Sequence, residues 1–384
     1  MNAINRLARM LVAMVLAVGS STVMTPLWLY QGLFLRQKAT KEWPNVLQFI
    51  LSGVARQTLY FQGILGAQPG PYTRKPFYLE NLISPSTSFT WIQPAGKSQK
   101  TSNGKQVGFD DSMLPVKLSP KEWNKQTAAY WYSNKRDTSP ISKRKSPVVL
   151  YFHGGAYITL DPDDVFMGVT GATNQAHYAQ VDVLSVAYRL APASKHPSQL
   201  YEAYSAFLHL KNMGYNKIFI GGDSAGANLA STLWRYIEEV AHQSDSVPAL
   251  LLFSPWFDMK GSQRKGFKKQ LRNCTISSAY VEIGFKKMQT NGLPKANDGW
   301  ISPTYWTAET MKKLPPLFIT HGGEETLVEE GIEFIEKAKK NGVQVDHFFK
   351  AGYPHDFQML PWFLTGIREC FTAEGQFIKK NANA

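Results

Sequence analysis

Cysteine is nearly absent from this 384-residue chain, in which only Cys274 and Cys370 occur. Two thiols make at most one bridge, so no disulfide framework carries the fold and stability has to come from a buried core. With 43% hydrophobic and 13% aromatic residues there is enough apolar material for one large α/β domain or two ordinary ones. Internal repeats and low-complexity tracts are also missing, which excludes solenoid and disordered architectures. Acidic residues are scarce, 29 against 42 Lys and Arg, leaving a net charge of +13. The excess gathers in residues 97–145 and in KGSQRKGFKKQLR at 260–272. Neither stretch has a zinc-finger, helix-turn-helix or RNA-recognition signature, or aromatics interleaved for base stacking, so no nucleic-acid partner is expected. Solvated loops account for both, and attraction to anionic lipid head groups is the sharper alternative.

Charge is absent from MLVAMVLAVGSSTVMTPLWLYQGLFL, residues 10–35. As a helix this run is long enough to cross a hydrocarbon layer of roughly 30 Å. Arg6 and Arg9 precede it, Trp28 and Tyr30 sit where interfacial aromatics belong, and Gly19, Ser20, Ser21 and Pro26 weaken its middle. Residues 1–36 read as an uncleaved signal anchor, with a cleaved signal peptide and a buried or interfacial helix as the alternatives. Arg6, Arg9 and the terminal amine are nearly balanced by Arg36, Lys38 and Lys41, so charge does not set the orientation. Asn273-Cys274-Thr275 is the chain's single N-x-S/T sequon, and a glycan on Asn273 places the main domain in a lumen or outside the cell. Residues 37–80 contain a second apolar stretch, PNVLQFILSGVARQTLYFQGILG, expected as a helical cap or lid; residues 81–384 form the main domain.

Within that domain, TSFTWIQ and AAYWYS read as the antiparallel edge of a sheet. Apolar strand patterns then recur at 148–152, 181–188, 217–221, 249–253, 316–320 and 343–349. They alternate with helical patterns at 198–213, 225–240, 327–340 and 358–379. Strands that are apolar on both faces and alternate with helices make a mostly parallel sheet covered by helices, an α/β fold.

The most informative stretch is IFIGGDSAGANLA, residues 218–230, where a strand runs through Gly222-Asp223-Ser224-Ala225-Gly226 straight into a helix. This is the context a G-x-S-x-G nucleophile elbow requires: tiny residues flank a strained serine, and the helix behind it offers a positive dipole end. A serine hydroxyl is a weak nucleophile at neutral pH, so an acid and a histidine must follow in the order Ser, Asp/Glu, His. Downstream of Ser224 lie His242, His321, His347 and His355. His355, in the loop AGYPHDF after the last strand, is best placed to reach back over the sheet, and His321 is the rival base. Glu324 and Glu325 follow the strand PPLFIT, with Asp258 as the runner-up acid. Upstream, the strand VVLYF ends in His153-Gly154-Gly155-Ala156-Tyr157. Backbone amides of Gly154 and Gly155, joined by that of Ala225, are the expected oxyanion donors, and Ala156 keeps its NH.

HGGAY, YRLAP at 188–192, GDSAG, SPWFD at 254–258, the E-x-L-x-E-E run at 325–330 and the Pro-His at His355 occur in the order found in hormone-sensitive-lipase-like esterases. With its apolar amino terminus, the chain most resembles the fungal steryl acetyl hydrolase branch of that family. The resemblance spans residues 147–357 and implies an α/β-hydrolase fold with nucleophile Ser224, acid Glu325, base His355 and oxyanion amides at Gly154 and Gly155. His153 and Asp223 are supporting motif residues. It further implies hydrolysis of short-acyl esters of lipophilic alcohols, sterol acetates foremost, at the endoplasmic reticulum membrane, with secretion after signal cleavage as the alternative. No metal or other cofactor is called for. A lipase or amidase of different range, and a non-catalytic receptor on the same scaffold, are the competing expectations. Three departures from the family pattern stand out: Glu325 replaces the commoner Asp, Ala156 a third glycine, and Asp356 a glycine. A carboxylate at 356 is expected to raise the neighbouring histidine's pKa.

Overall fold

The computed structural model describes residues 3–30, 46–65, 87–100, 106–134, 147–162, 170–261 and 274–382. In chain order its elements are α1 (Ala3–Tyr30), α2 (Val46–Leu65), β1 (Thr87–Ile92), β2 (Gln99–Lys100), β3 (Gln106–Val107), β4 (Thr127–Tyr132), β5 (Val148–Phe152), α3 (Thr170–Tyr178), β6 (Asp182–Ala187) and α4 (Ser198–Asn212). There follow β7 (Ile218–Asp223), α5 (Ala225–Tyr236), β8 (Leu250–Phe253), α6 (Ser278–Met288), α7 (Ala308–Lys312), β9 (Leu317–Gly322), α8 (Val328–Lys340), β10 (Val345–Lys350) and α9 (Leu364–Ala382).

Eight strands form one sheet in the order β1-β4-β6-β5-β7-β8-β9-β10, and β2 and β3 pair separately. β1 pairs antiparallel with β4 and β4 antiparallel with β6, as TSFTWIQ and AAYWYS led one to expect; all later pairs are parallel. Period-two alternation sends β5 residues to both faces. Val148, Leu150 and Phe152 join a core with Leu200 and Phe207 of α4 and Leu229 and Leu233 of α5. Val149 and Tyr151 join the opposite core, with Ala172 of α3 and Phe371 and Phe377 of α9. The parallel register sets Phe152 opposite Gly222 and Asp223 opposite Phe253, which in turn pairs Thr320. Loops after β5, β7, β8 and β9 therefore leave from one carboxyl edge.

The last helix begins later than its pattern suggests. Pro361 disfavours helical backbone in the residue before it, and Leu360 is accordingly extended (φ −99°, ψ 111°) after a single tight turn at Phe357–Met359. At the amino terminus, α1 lies beside α2 and buries Ala13, Ala17 and Ser21, four residues apart on one stripe. Among the described residues no helix is long and apolar enough to cross a membrane. The signal anchor expected over residues 1–36 is thus not supported there. The apolar run is broken in its middle by Gly19, Ser20, Ser21 and Thr22, and residues 31–36 lie outside the described ones. Hydroxyls of Ser20 and Thr22 return hydrogen bonds to Ala17 O and Val18 O. Within the stretch 37–80, α2 covers the loop after β5: Lys287 Nζ of α6 donates to Gly63 O at 2.6 Å, and Leu59 and Tyr60 pack on the core.

On the far face Glu374 of α9 is fully buried, and one of its oxygens accepts from Gln175 Nε2 at 2.6 Å. Burial raises its pKa from 4.5 to about 8. An acid whose pKa is higher in the folded state gives stability that is complete below pH 4.5 and lost as pH rises through about 8. Urea unfolding of the wild type is expected to show stability falling across that window, and Glu374→Gln is expected to flatten the fall. A wild-type curve that is level there contradicts the assignment.

Candidate active site

Ser224 sits between β7 and α5 with φ 51° and ψ −114°. This sparsely populated backbone region costs about 1–3 kcal/mol and persists only where surroundings impose it. Here the imposing feature is contact between α5 and β5. A Cβ on Gly226 would lie 1.9 Å from Phe152 O, so the helix reaches the strand only because residue 226 has none. The amide of Ser224 donates to Phe253 O at 2.8 Å and its carbonyl accepts from Trp256 N at 3.2 Å, tying the elbow to β8.

Opposite the elbow, Gly155, Ala156 and Tyr157 follow one another with φ of 97°, 51° and 63°. Asp223 anchors this turn: Oδ2 accepts from Gly154 N at 2.9 Å and Oδ1 from Tyr151 OH at 2.6 Å. The expectation that Gly154 is an oxyanion donor is therefore corrected, because its amide already serves the elbow's own carboxylate. Among the described residues the amides of Gly155 and Ala156 meet no acceptor. Ala225 opens α5, so its N–H has no partner inside the helix. The amides of 155, 156 and 225 are thus among those without an acceptor in the described residues. Ala156, noted from sequence only for retaining its NH, is one of them, and Gly154 is not.

His153 holds the turn from below. Its Nδ1–H donates to Gly154 O at 2.8 Å, its ring stacks on Tyr188 of the YRLAP segment at 4.4 Å, and Tyr188 OH donates to His153 O at 2.5 Å. Burial lowers its pKa to about 4 and keeps it neutral.

Glu325 and His355 meet as the chain order suggests: Nδ1–H of His355 donates to Glu325 Oε2 at 3.0 Å, and both side chains are buried. Burial raises Glu325 to about 7, against the pull of His355 and Ser254. Glu324 is half-buried and Asp258 is fixed elsewhere, its Oδ1 accepting from Lys260 N at 2.9 Å. His242 ends the α5 segment, its Nδ1–H donating to Glu238 O at 3.1 Å. His321, the rival base, pairs with His347 through Nδ1 at 3.1 Å.

Nε2 of His355 makes no hydrogen bond among the described residues, so it is not bonded to Ser224. It lies 3.0 Å from Asp356 Oδ2 instead, in a geometry that forms no hydrogen bond. Catalytic hydrogen bonds are commonly long in unliganded sites and tighten with substrate. Burial lifts Asp356 well above the ordinary carboxylate range and favours its neutral form, so the charged neighbour expected at this position is disfavoured. Ser254 lies beside both acids and lowers the pKa of each, and its Oγ accepts from Asp356 N at 3.1 Å. Asn273 lies outside the described residues. The threonine of its sequon, Thr275, is buried and donates to His355 O at 2.8 Å, a role in the site that sequence reading missed.

A protein-family model for the alpha/beta hydrolase fold matches residues 149–359, more than half of the chain. The chain belongs to the alpha/beta-hydrolase family. It is 28% identical over 223 residues to an esterase of Acinetobacter venetianus, covering 56% of this chain and 69% of that one. It is 22% identical over 267 residues to 3-O-acetylpapaveroxine carboxylesterase of Papaver somniferum, covering 64% of this chain and 82% of the plant enzyme. Among solved structures, a Pyrobaculum calidifontis esterase superposes with a TM-score of 0.62 at 19% identity, covering 92% of this chain and 99% of that one, a likeness of fold.

Because α5 touches β5 through Gly226, Gly226→Ala is expected to lose about 1–3 kcal/mol of stability. It is also expected to displace Ser224. Denaturant unfolding and labelling by a fluorophosphonate measure the two effects, and unchanged values for both contradict this packing.

Proposed function

We propose that this protein is a serine carboxylesterase that removes short acyl groups, acetyl foremost, from lipophilic alcohols such as sterols. The observation that carries the reading is the assembly at one sheet edge of a strained Ser224, a Glu325–His355 pair at 3.0 Å and three amides without acceptors. A relative named for an O-acetyl compound supports the acyl preference, and the resemblance to steryl acetyl hydrolases supports the alcohol.

In the proposed reaction Ser224 Oγ attacks the ester carbonyl and His355 Nε2 takes its proton. Glu325 keeps the other ring nitrogen protonated and stabilises the imidazolium. The oxyanion settles among the amides of Gly155, Ala156 and Ala225, each worth about 2.7–4 kcal/mol of barrier by analogy with single-donor removals. His355 then protonates the leaving alcohol, and water, activated by the same imidazole, cleaves the acyl-enzyme. A second reading, a binding protein on the same scaffold, draws on the turn of His355 Nε2 toward Asp356.

Fluorophosphonate labelling separates the two. Wild type is expected to label and Ser224→Ala is not, with kcat/KM for p-nitrophenyl acetate falling on the order of 10⁴-fold or more. A folded wild type that neither labels nor hydrolyses establishes the binding reading. Among acetyl, octanoyl and palmitoyl esters of one alcohol, acetyl is expected to turn over fastest; a palmitoyl preference overturns the deacetylase reading.

Membrane attachment through the amino terminus belongs to the same proposal, with the endoplasmic reticulum as location and the main domain lumenal. Its support is the outward apolar face of α1, where Val12, Val15, Val18 and Val23 are between 49% and 78% exposed. The full chain is expected to sediment with phospholipid vesicles, and changing these four valines to serine is expected to release it. Equal sedimentation of both chains argues against attachment by α1. A mass shift on endoglycosidase treatment that disappears in Asn273→Gln is the expected mark of lumenal topology, and a cytosol-accessible domain in a protease-protection assay refutes it.

A further inference from the structure

Behind the Glu325–His355 pair lies a second pair of histidines. His321, at the end of β9, is fully buried, and its Nε2 stands 3.8 Å from Glu325 Oε1. Neither atom has a hydrogen-bond partner among the described residues, so two buried polar atoms face each other across a gap about 1 Å too long for a bond. On its other side His321 Nδ1 is 3.1 Å from His347 Nε2. His347 is half-buried on β10 and lines an open cleft of about 370 Å³ with Asp346 and Lys380. The space His321 occupies is reserved by α8, since a Cβ on Gly331 would fall 1.9 Å from Nε2.

We propose that His321 is a positioning residue, a second imidazole whose Nε2–H is directed at Glu325 Oε1 while His355 Nδ1–H holds Oε2, with His347 fixing the tautomer from the surface side. The inference rests on the reading of Glu325 and His355 as acid and base. One consistent set of protons satisfies the line of groups. His347 Nε2–H donates to His321 Nδ1, His321 Nε2–H points to Glu325 Oε1, and His355 Nδ1–H donates to Oε2, leaving His355 Nε2 unprotonated for Ser224. Burial and the nearby rings of His347 and His355 hold His321 well below its usual pKa, so it acts as a neutral donor. Facing Glu325 from other elements are Ser254, Cys274 and Asp356; Lys339 of α8 faces His347.

Burial has already raised the Glu325 carboxyl to about 7, so how far it is ionised near neutral pH depends on the donors its two oxygens have. A donor at its second oxygen favours the ionised form, so losing that donor raises the acid limb of activity, which belongs to the Glu325–His355 pair as a unit. The test is the kcat/KM profile of the full chain on p-nitrophenyl acetate from pH 5 to 9. His321→Leu is expected to move the acid limb up by about one pH unit, with a loss of about tenfold at pH 6 that shrinks toward pH 9. His321→Gln, whose amide NH₂ replaces the Nε2 donor, is expected to stay near the wild-type midpoint. His347→Leu is expected to shift the limb the same way by less.

A His321→Leu profile superimposed on wild type overturns the proposal. So does equal loss in His321→Leu and His321→Gln at every pH, which is what packing alone produces. If His321→Leu does not fold, His347→Leu decides, and an unmoved acid limb in that variant overturns the proposal. Failure of the acid–base reading itself is separate: there Glu325→Gln and Ser224→Ala retain wild-type turnover.

Discussion

The contact between the first turn of α5 and the carbonyl of Phe152 sets the geometry on which everything else rests. With no side chain at 226, the helix closes on β5 and leaves Ser224 no ordinary backbone conformation. The same closeness brings Asp223 within 2.9 Å of Gly154 N, so the elbow and the glycine turn after β5 are one piece joined by a carboxylate. Parallel register does the rest. Strands β5, β7, β8 and β9 end level, and the loops carrying 154–157, 224, 254 and 325 are delivered to one edge without any long excursion.

That edge concentrates buried acids. Asp223, Glu325 and Asp356 are all nearly inaccessible, and desolvation is the largest influence on each, pushing every one toward its neutral form. Carboxyl groups in such surroundings need donors, and the fold supplies them unequally. Asp223 has Tyr151 and Gly154, Glu325 has His355, and Asp356 has Gln358. Ser254 Oγ accepts from the backbone amide of Asp356, which places the SPWFD segment inside the site although its own aspartate is occupied elsewhere. Cover comes from outside the sheet. Tyr280 of α6 meets Thr159 through their hydroxyls, and Gly63 of α2 lies against the Tyr280 ring, so α2, α6 and the turn after β5 are stacked in contact.

Much of this was legible because it depends on local rules. Strand ends at 148–152 and 250–253 follow apolar runs bounded by polar or glycine residues, and the start of α5 follows from GDSAG alone. The helix at 278–288 escaped notice because its apolar residues, Tyr280, Val281, Gly284 and Met288, bury against α2 and Ala156 and leave only a weak pattern. The partnership of Glu325 with His355 was readable as an order along the chain, with His321 as a rival. Separating the two needed the knowledge that His321 Nδ1 faces β10. Gly154 was misassigned for a related reason. Sequence shows which residues can offer an amide but not which amide a distant carboxylate has already taken.

The sequence by itself determined the α/β class, the elbow, the loop families at the carboxyl edge and the scarcity of covalent bracing, because each is written in spacing, side-chain size and hydropathy over a few residues. Tertiary structure alone decided that the amide of Gly154 is taken while those of Gly155 and Ala156 have no acceptor among the described residues, that Asp356 favours its neutral form, that a sequon threonine holds the histidine loop, and that a second imidazole stands behind Glu325. These are matters of distance between residues up to 80 positions apart and of the water excluded around them. Neither quantity exists until the chain has folded.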